Sequence, residues 1–159
     1  MPKWPAVRQW ISAHRAWIIV AALLLLVDRA SKVWALHQLA LNGPVVLGKY
    51  FWLNYVENTG MAFGLFQNGN AFLAVVMLAV MGYIIYSWQE IQRQGTWARW
   101  GAVLILTGAL GNLYDRLTLG FVVDFLDFRV WPVFNVADSL ITVGAVLLGV
   151  SLLRKQEQK

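Results

Sequence analysis

The chain has 159 residues and a formal net charge of +5, with 59% apolar residues and only 13% charged ones. Soluble domains carry about 45–50% apolar and about 25% charged residues, and a chain this small must cover a large surface with polar groups it lacks. Disorder and soluble nucleic-acid binding are therefore poor readings, and lipid is the expected solvent for most of the molecule. There is no cysteine, so neither disulfides nor thiolate chemistry can contribute. Two isolated histidines, His14 and His37, are too few for a zinc site of three or four ligands. Neither a metal nor a cofactor is expected.

A membrane-spanning helix needs about 20 mostly apolar residues, and four stretches approach that length. The first covers roughly 14–35, where the apolar run AWIIVAALLLLV (16–27) continues into DRASKVWAL. A cleaved signal peptide is the alternative there, because a basic leader precedes the run. Against it, Asp28, Arg29 and Lys32 follow directly, where a cleavage site prefers small neutral residues. Residues 37–70 form a long loop rich in Gly, Asn and aromatics. Within it KYFWLNYV (49–56) and MAFGLF (61–66) read as short strands flanking an ENTG turn. The second, third and fourth spans are placed at 71–88, 97–115 and 133–153, joined by a short connection at 89–96 and a loop at 116–132.

The expected fold is an all-α membrane protein, a single domain over 1–159. It has four transmembrane helices with a small extracytoplasmic β-rich loop or lid. Counted around the span ends, the side holding both termini has eight bases against two acids, and the other side five bases against six acids. The positive-inside rule then puts both termini in the cytoplasm. The basic pI reports topology and not a nucleic-acid partner.

Six of the eight acids fall on the outer side. With a helix starting near Val133, Asp138 lies five residues inside it, about 7–8 Å from its end. A carboxylate at that depth must be paired, protonated or functional. Asp124 lies fourteen residues earlier, and a short reversal through FLDFRVWP can bring both acids to one level. Two carboxylates close together in a dry site cannot both ionise easily, so one keeps a proton and the pair offers a base and an acid. Hydrolysis of a peptide bond by activated water needs that combination.

Other readings stay open on charge placement alone. Asp138 can cap a helix or pair with Arg116 or Arg129, and a proton-relay or transporter subunit would also place acids near span ends. A scaffold protein would need no acid pair. A Ser–Lys dyad is disfavoured for Ser31 and Lys32, which are adjacent and point about 100° apart on a helix; Ser139 with Lys32 remains geometrically possible. Gly108 and Gly111 read as positions of close helix packing.

Read together, five motifs resemble one family, the bacterial lipoprotein signal peptidases (signal peptidase II). They are DRASK (28–32), ENTGMAFGLF (57–66), GALGNLYDR (108–116), VVDF (122–125) and FNVADS (134–139), and they occur in the family's order. The resemblance implies an aspartic peptidase of the bacterial inner membrane with no metal or cofactor. Its partners would be membrane lipid and diacylglyceryl-modified prolipoproteins, cut before the lipidated cysteine by a monomeric enzyme near the outer face. By the match, Asp124 and Asp138 take the catalytic positions.

Asn58, Gly60, Asn112, Arg116, Asn135 and Ala137 match positions expected to line the substrate site. A tight turn competes as the role of Asn58, and helix-end capping as that of Asn112 and Asn135. Asp28 and Lys32, at i and i+4, read as a supporting pair at the outer end of the first helix, and Asp115 as a local partner of Arg116. Two departures stand out: Arg29 where the family often has Gln, and Met61 where a small residue is common.

Overall fold

A computed structural model describes residues 4–60 and 69–156, with side chains over 15–60 and 69–154. In chain order the elements are α1 (Trp4–Asn42), β1 (Val45–Gly48), β2 (Phe51–Asn58), α2 (Asn70–Tyr86), α3 (Trp88–Arg93), α4 (Thr96–Thr118), β3 (Val122–Asp127) and α5 (Val136–Gln156). The protein is thus mostly helical, with one small antiparallel sheet in the order β1-β2-β3.

The four apolar stretches fall within α1, α2, α4 and α5, with differences at their ends. Helix α1 runs six residues into the expected loop, to Asn42. It stops at Gly43, whose positive φ of 81° gives the left-handed turn and whose N–H donates to the Leu39 carbonyl at 3.0 Å. Pro44 then prevents continuation. The expected strand at 49–56 is observed as β2, shifted by two residues, and the one at 61–66 lies outside the described residues.

Strands β1 and β3 and the short helix α3 were not anticipated. VVLG and VVDFLD are too short for their periodicity to separate strand from loop. Helix α5 begins at Val136 and not near Val133. Phe134 is held in a bridge with Leu126, which leaves Asn135 to start the helix. Asp138 therefore stands in the first turn, shallower than the expected five residues.

Burial is inverted relative to a soluble domain. Asp28, Lys32, Asp115 and Asn135 are almost completely buried, while Leu26, Leu78, Ile85 and Leu153 are more than half exposed. Soluble folds do the opposite with these residue types. Among the described residues one helix, Val136–Arg154, is long and apolar enough to cross a membrane by length and composition, and Asn70–Tyr86 is a shorter apolar helix.

Helices α4 and α5 meet through small residues. A Cβ on Gly101 would stand 2.6 Å from the Gly144 carbonyl oxygen, and one on Gly144 would stand 2.6 Å from that of Gly101. A Cβ on Gly108 would run into the Ala137 carbonyl oxygen. Glycine lets the two backbones approach this closely. Gly101→Ala and Gly108→Ala are each expected to cost about 1–3 kcal/mol of stability, as overpacking does. Only Gly108→Ala should also cut activity more than tenfold, because it displaces the first turn of α5. Thermal midpoints and cleavage rates measured together would check this.

The sheet rides on the end of α1. Ala35 and Leu39 pack against Val123 and Phe125, with Leu53 and Tyr55 of β2 beside them. That contact fixes β3 over the C-terminal ends of α1 and α4 and the start of α5, where the polar core lies.

Candidate active site

Strand β3 carries Asp124 into this core. In the β2–β3 register Val56 faces Asp124 and Asn58 faces Val122, so Asn58 and Asp124 are diagonal neighbours on one face. Asn58 Nδ2 donates to Asp124 Oδ2 at 2.8 Å, and Asn58 Oδ1 accepts the Gly60 N–H at 3.0 Å. Asn58 is therefore both a turn former and a carboxylate ligand; the two roles use different atoms.

The start of α5 supplies the second carboxylate. Asn135 Oδ1 accepts the Asp138 N–H at 2.9 Å, and Asp138 Oδ2 accepts the Asn135 N–H at 3.2 Å. This is a reciprocal capping box, which satisfies otherwise orphaned donors of the first turn. Asp28, reaching from α1, accepts the Ala137 N–H at 2.9 Å through Oδ1. Asn135 is thus a helix cap as well as a site residue. Asn112 is no cap: it lies six residues before the end of α4 and is buried.

Two amides join the two acids. Asn112 Nδ2 donates to Asp138 Oδ1 at 2.7 Å, and Asn135 Nδ2 donates to Asp124 Oδ1 at 2.7 Å. Asn135 Nδ2 also donates to Asn112 Oδ1 at 3.1 Å. The chain Asp124–Asn135–Asn112–Asp138 is continuous. Burial first, and the charge of Asp138 second, push the Asp124 carboxyl up to about 7, against the donors of Asn58 and Asn135 and the charge of Lys32. Asp124 is 1% exposed, whereas Asp138 is half-buried and is the member water can reach.

Behind the amides sits Lys32, with no exposed surface. Its Nζ lies 2.8 Å from Asn112 Oδ1 and 3.0 Å from both Asp28 Oδ2 and Asp115 Oδ2. Three oxygens thus meet a group with three protons. Because Asn112 Oδ1 accepts from Lys32 and Asn135, its NH2 is forced to face Asp138.

The expected pairing of Asp115 with Arg116 is not what forms. Asp115 pairs with Lys32 and Arg29, and Arg29 also stacks over the Tyr114 ring at 4.5 Å. The geometry follows from α4: neighbours in a helix point about 100° apart. The Ser–Lys alternative also falls away. Ser139 Oγ donates to the Asn135 carbonyl, Ser31 Oγ donates to that of Asp28, and the Lys32 ammonium is occupied by carboxylates. Nor do Arg116 and Arg129 pair with Asp138, since Arg129 pairs with Asp127 at 2.9 Å.

Arg116 uses its fork on the chain itself. Nη2 donates to the Gly60 carbonyl at 2.8 Å and Nη1 to Asn70 Oδ1 at 3.1 Å, while Asn70 Nδ2 returns to the Arg116 carbonyl at 3.0 Å. Asn70 was not singled out from the sequence; an Asn in QNGN carries no signal beyond turn formation. Ala137 was expected to line the substrate site, but it has no exposed surface and its N–H is taken by Asp28. Its small side chain instead packs 3.4 Å from where a Cβ on Gly111 would lie.

A family model described as signal peptidase (SPase) II matches residues 20–154. A lipoprotein signal peptidase of Clostridioides difficile is 42% identical, covering 86% of this chain and 94% of its own. One from Caldanaerobacter subterraneus is 41% identical, covering 87% and 96%. Among solved structures, a bacterial membrane enzyme superposes with a TM-score of 0.75 over 91% of both chains at 24% identity. A second superposes at 0.71, with 25% identity over 87% of this chain and 92% of that one. With the matched span reaching from α1 through the acids of β3 and α5, the chain belongs to the signal peptidase II family.

Proposed function

We propose that the chain removes signal peptides from diacylglyceryl-modified prolipoproteins, cutting before the lipidated cysteine with water activated between Asp124 and Asp138. Its family removes signal peptides from prolipoproteins and is a family of aspartic proteases. The observation that carries the catalytic assignment is the amide-bridged carboxylate pair, with Asp124 buried and held near 7 and Asp138 open to water.

Charge balance supports one shared proton. Around the pair, Lys32, Arg116 and Arg29 face the four carboxylates Asp28, Asp115, Asp124 and Asp138. Three cations against four carboxylates leave one negative charge, which a single proton on the pair neutralises. Such a cluster avoids a costly net charge in a dry site. In the reaction, the ionised member takes a proton from water as it attacks the scissile carbonyl. The protonated member hydrogen-bonds the carbonyl oxygen, and a proton then passes to the leaving amine.

Four spans in the inner membrane, with both termini cytoplasmic and the acids near the outer face, fit the inverted burial and the charge asymmetry. On that reading substrate enters sideways from the lipid, so its acyl chains never leave the bilayer. The acyl chains set the depth at which the peptide meets the acids. Asn58 holds Asp124 and Arg116 holds the Gly60 carbonyl, so these three residues shape the edge of the pair against which the peptide lies, while Asn112 and Asn135 orient the acids. The enzyme acts as a monomer and needs neither metal nor cofactor. A proton relay is less well supported, because the buried charges end in a local cluster.

A cleavage assay in detergent on a lipidated prolipoprotein, with the unlipidated form as control, tests the reading. Only the lipidated substrate should be cut. The rate should fall as pH rises through about 7, where the pair loses its shared proton, and should also fall in acid when both members are protonated. Those two limbs belong to the pair jointly. Equal cleavage of both substrates, or a rate still rising above pH 8, would count against it.

A further inference from the structure

At the end of the bundle away from the acids, a cleft of about 500 Å³ opens between the α3–α4 junction and the last turns of α5, lined by Arg93, Gln94, Trp97, Leu147, Ser151 and Arg154. Along α4, Trp97 and Asn112 are separated by about 22 Å, and along α5 Asp138 and Arg154 by about 24 Å, at 1.5 Å per residue. A hydrocarbon core is about 30 Å thick. The cleft therefore lies at the headgroup level of the opposite leaflet, on the spanning reading given above.

Its chemistry is that of an amphiphile site. Arg93 and Arg154 supply two guanidinium forks; Arg93 touches Glu90 only at 3.5 Å, with both side chains more than half exposed. Arg154 has no ion pair among the described residues. Trp97 is 62% exposed, a placement suited to the membrane interface. Leu147 and the neighbouring Val150 continue the wall toward the lipid side as apolar surface. The floor is fixed, since buried Ser151 donates to the Gln94 carbonyl at 3.1 Å. Gln94 Nε2 donates to Glu90 at 2.8 Å, leaving Gln94 Oε1 buried without a donor among the described residues.

We propose that this cleft binds an anionic phospholipid of the leaflet opposite the carboxylate pair. Its phosphodiester sits between Arg93 and Arg154, a headgroup hydroxyl faces Gln94, and its chains run along Leu147 and Val150. Guanidinium forks match phosphate oxygens in pairs. The apolar wall beside them distinguishes a lipid from a soluble anion. An anionic leaflet would also concentrate such lipids at this basic end.

Native mass spectrometry on the full chain in detergent, with phosphatidylglycerol and phosphatidylcholine of equal chain length, tests the proposal. Wild type should retain the anionic lipid at least fivefold better, and the double variant Arg93→Gln/Arg154→Gln should bring that ratio to about one. Excess inorganic phosphate should not displace the lipid. Equal retention of both lipids by wild type, unchanged preference in the double variant, or displacement by phosphate would each overturn it.

Cleavage of lipidated substrate by the same double variant should stay within twofold of wild type, because both arginines are remote from the acids. Were cleavage lost as well, the charge-preserving Arg93→Lys/Arg154→Lys variant decides. Retained lipid preference there supports the site, and its loss in a folded, active protein removes it. Binding is read by mass, so it stands or falls separately from the peptidase reading.

Discussion

Asp124→Asn and Asp138→Asn are each expected to slow cleavage of a lipidated prolipoprotein by at least about a thousandfold, the scale of a lost general acid or base, in a protein that still folds. Stability moves the other way for Asp124. In the folded protein its carboxyl titrates near 7, against 3.8 ordinarily. The unfolded chain therefore ionises first as pH rises, and folding loses stability from about pH 4 up to about 7. That difference corresponds to about 4 kcal/mol.

Removing the acid removes that cost, but the amide fits imperfectly. Both Asp124 oxygens accept from NH2 groups whose orientation is fixed elsewhere, Asn58 by the Gly60 N–H and Asn135 by the Asp138 N–H. One donor will face another, at about 1–3 kcal/mol. The Asp124→Asn protein should therefore be more stable than wild type above pH 7, by about 1–3 kcal/mol, with the advantage gone below pH 4. Thermal midpoints across that range, beside turnover, give the check. Near wild-type turnover in either variant would remove the aspartate mechanism.

Lys32→Met should have the largest effect on stability of any single change. It keeps the side chain's bulk and leaves Asp28 and Asp115, each at most 1% exposed, without their shared cation. Breaking a buried pair on one side costs about 3–5 kcal/mol. Asn112 Oδ1 also loses its strongest donor, so its amide is no longer compelled to face Asp138.

Turnover should drop by at least about a hundredfold. What activity remains should have its alkaline limb at higher pH, because Lys32 normally pulls the Asp124 carboxyl down. Adding Asp28→Asn should recover part of the thermal midpoint and little of the rate. A full recovery of rate would mean that Lys32 serves only the fold.

The helical stretches and the carboxylate pair were legible because lipid leaves a plain record: long apolar runs, with acids gathered near one end. The sheet was only half legible. Strand β2 is long and aromatic, whereas β1 and β3 are four and six residues whose pairing depends on partners distant in sequence. The start of α5 was misplaced because Val133 and Phe134 read as apolar helix, while Phe134 is spent on its bridge with Leu126. The wiring of Lys32 was legible only in its local part. An (i, i+4) pair with Asp28 is local arithmetic, but its contacts with Asn112 and Asp115 depend on how α1 crosses α4. Asn112 and Asn135 were placed at the site for another reason, as contacts for a peptide, when their hydrogen bonds run to the acids.

The bridge through Asn112 and Asn135 bears on how inhibitors would fare. Asn135 starts α5, orients Asp138 and holds Asp124, and Asn112 joins Lys32 to Asp138. A substitution that weakened a compound gripping the two carboxylates and these amides would also loosen a helix or misalign an acid. Resistance by change at these positions would therefore carry its own loss of function, whereas contacts made only with exposed side chains of the sheet would leave escape open.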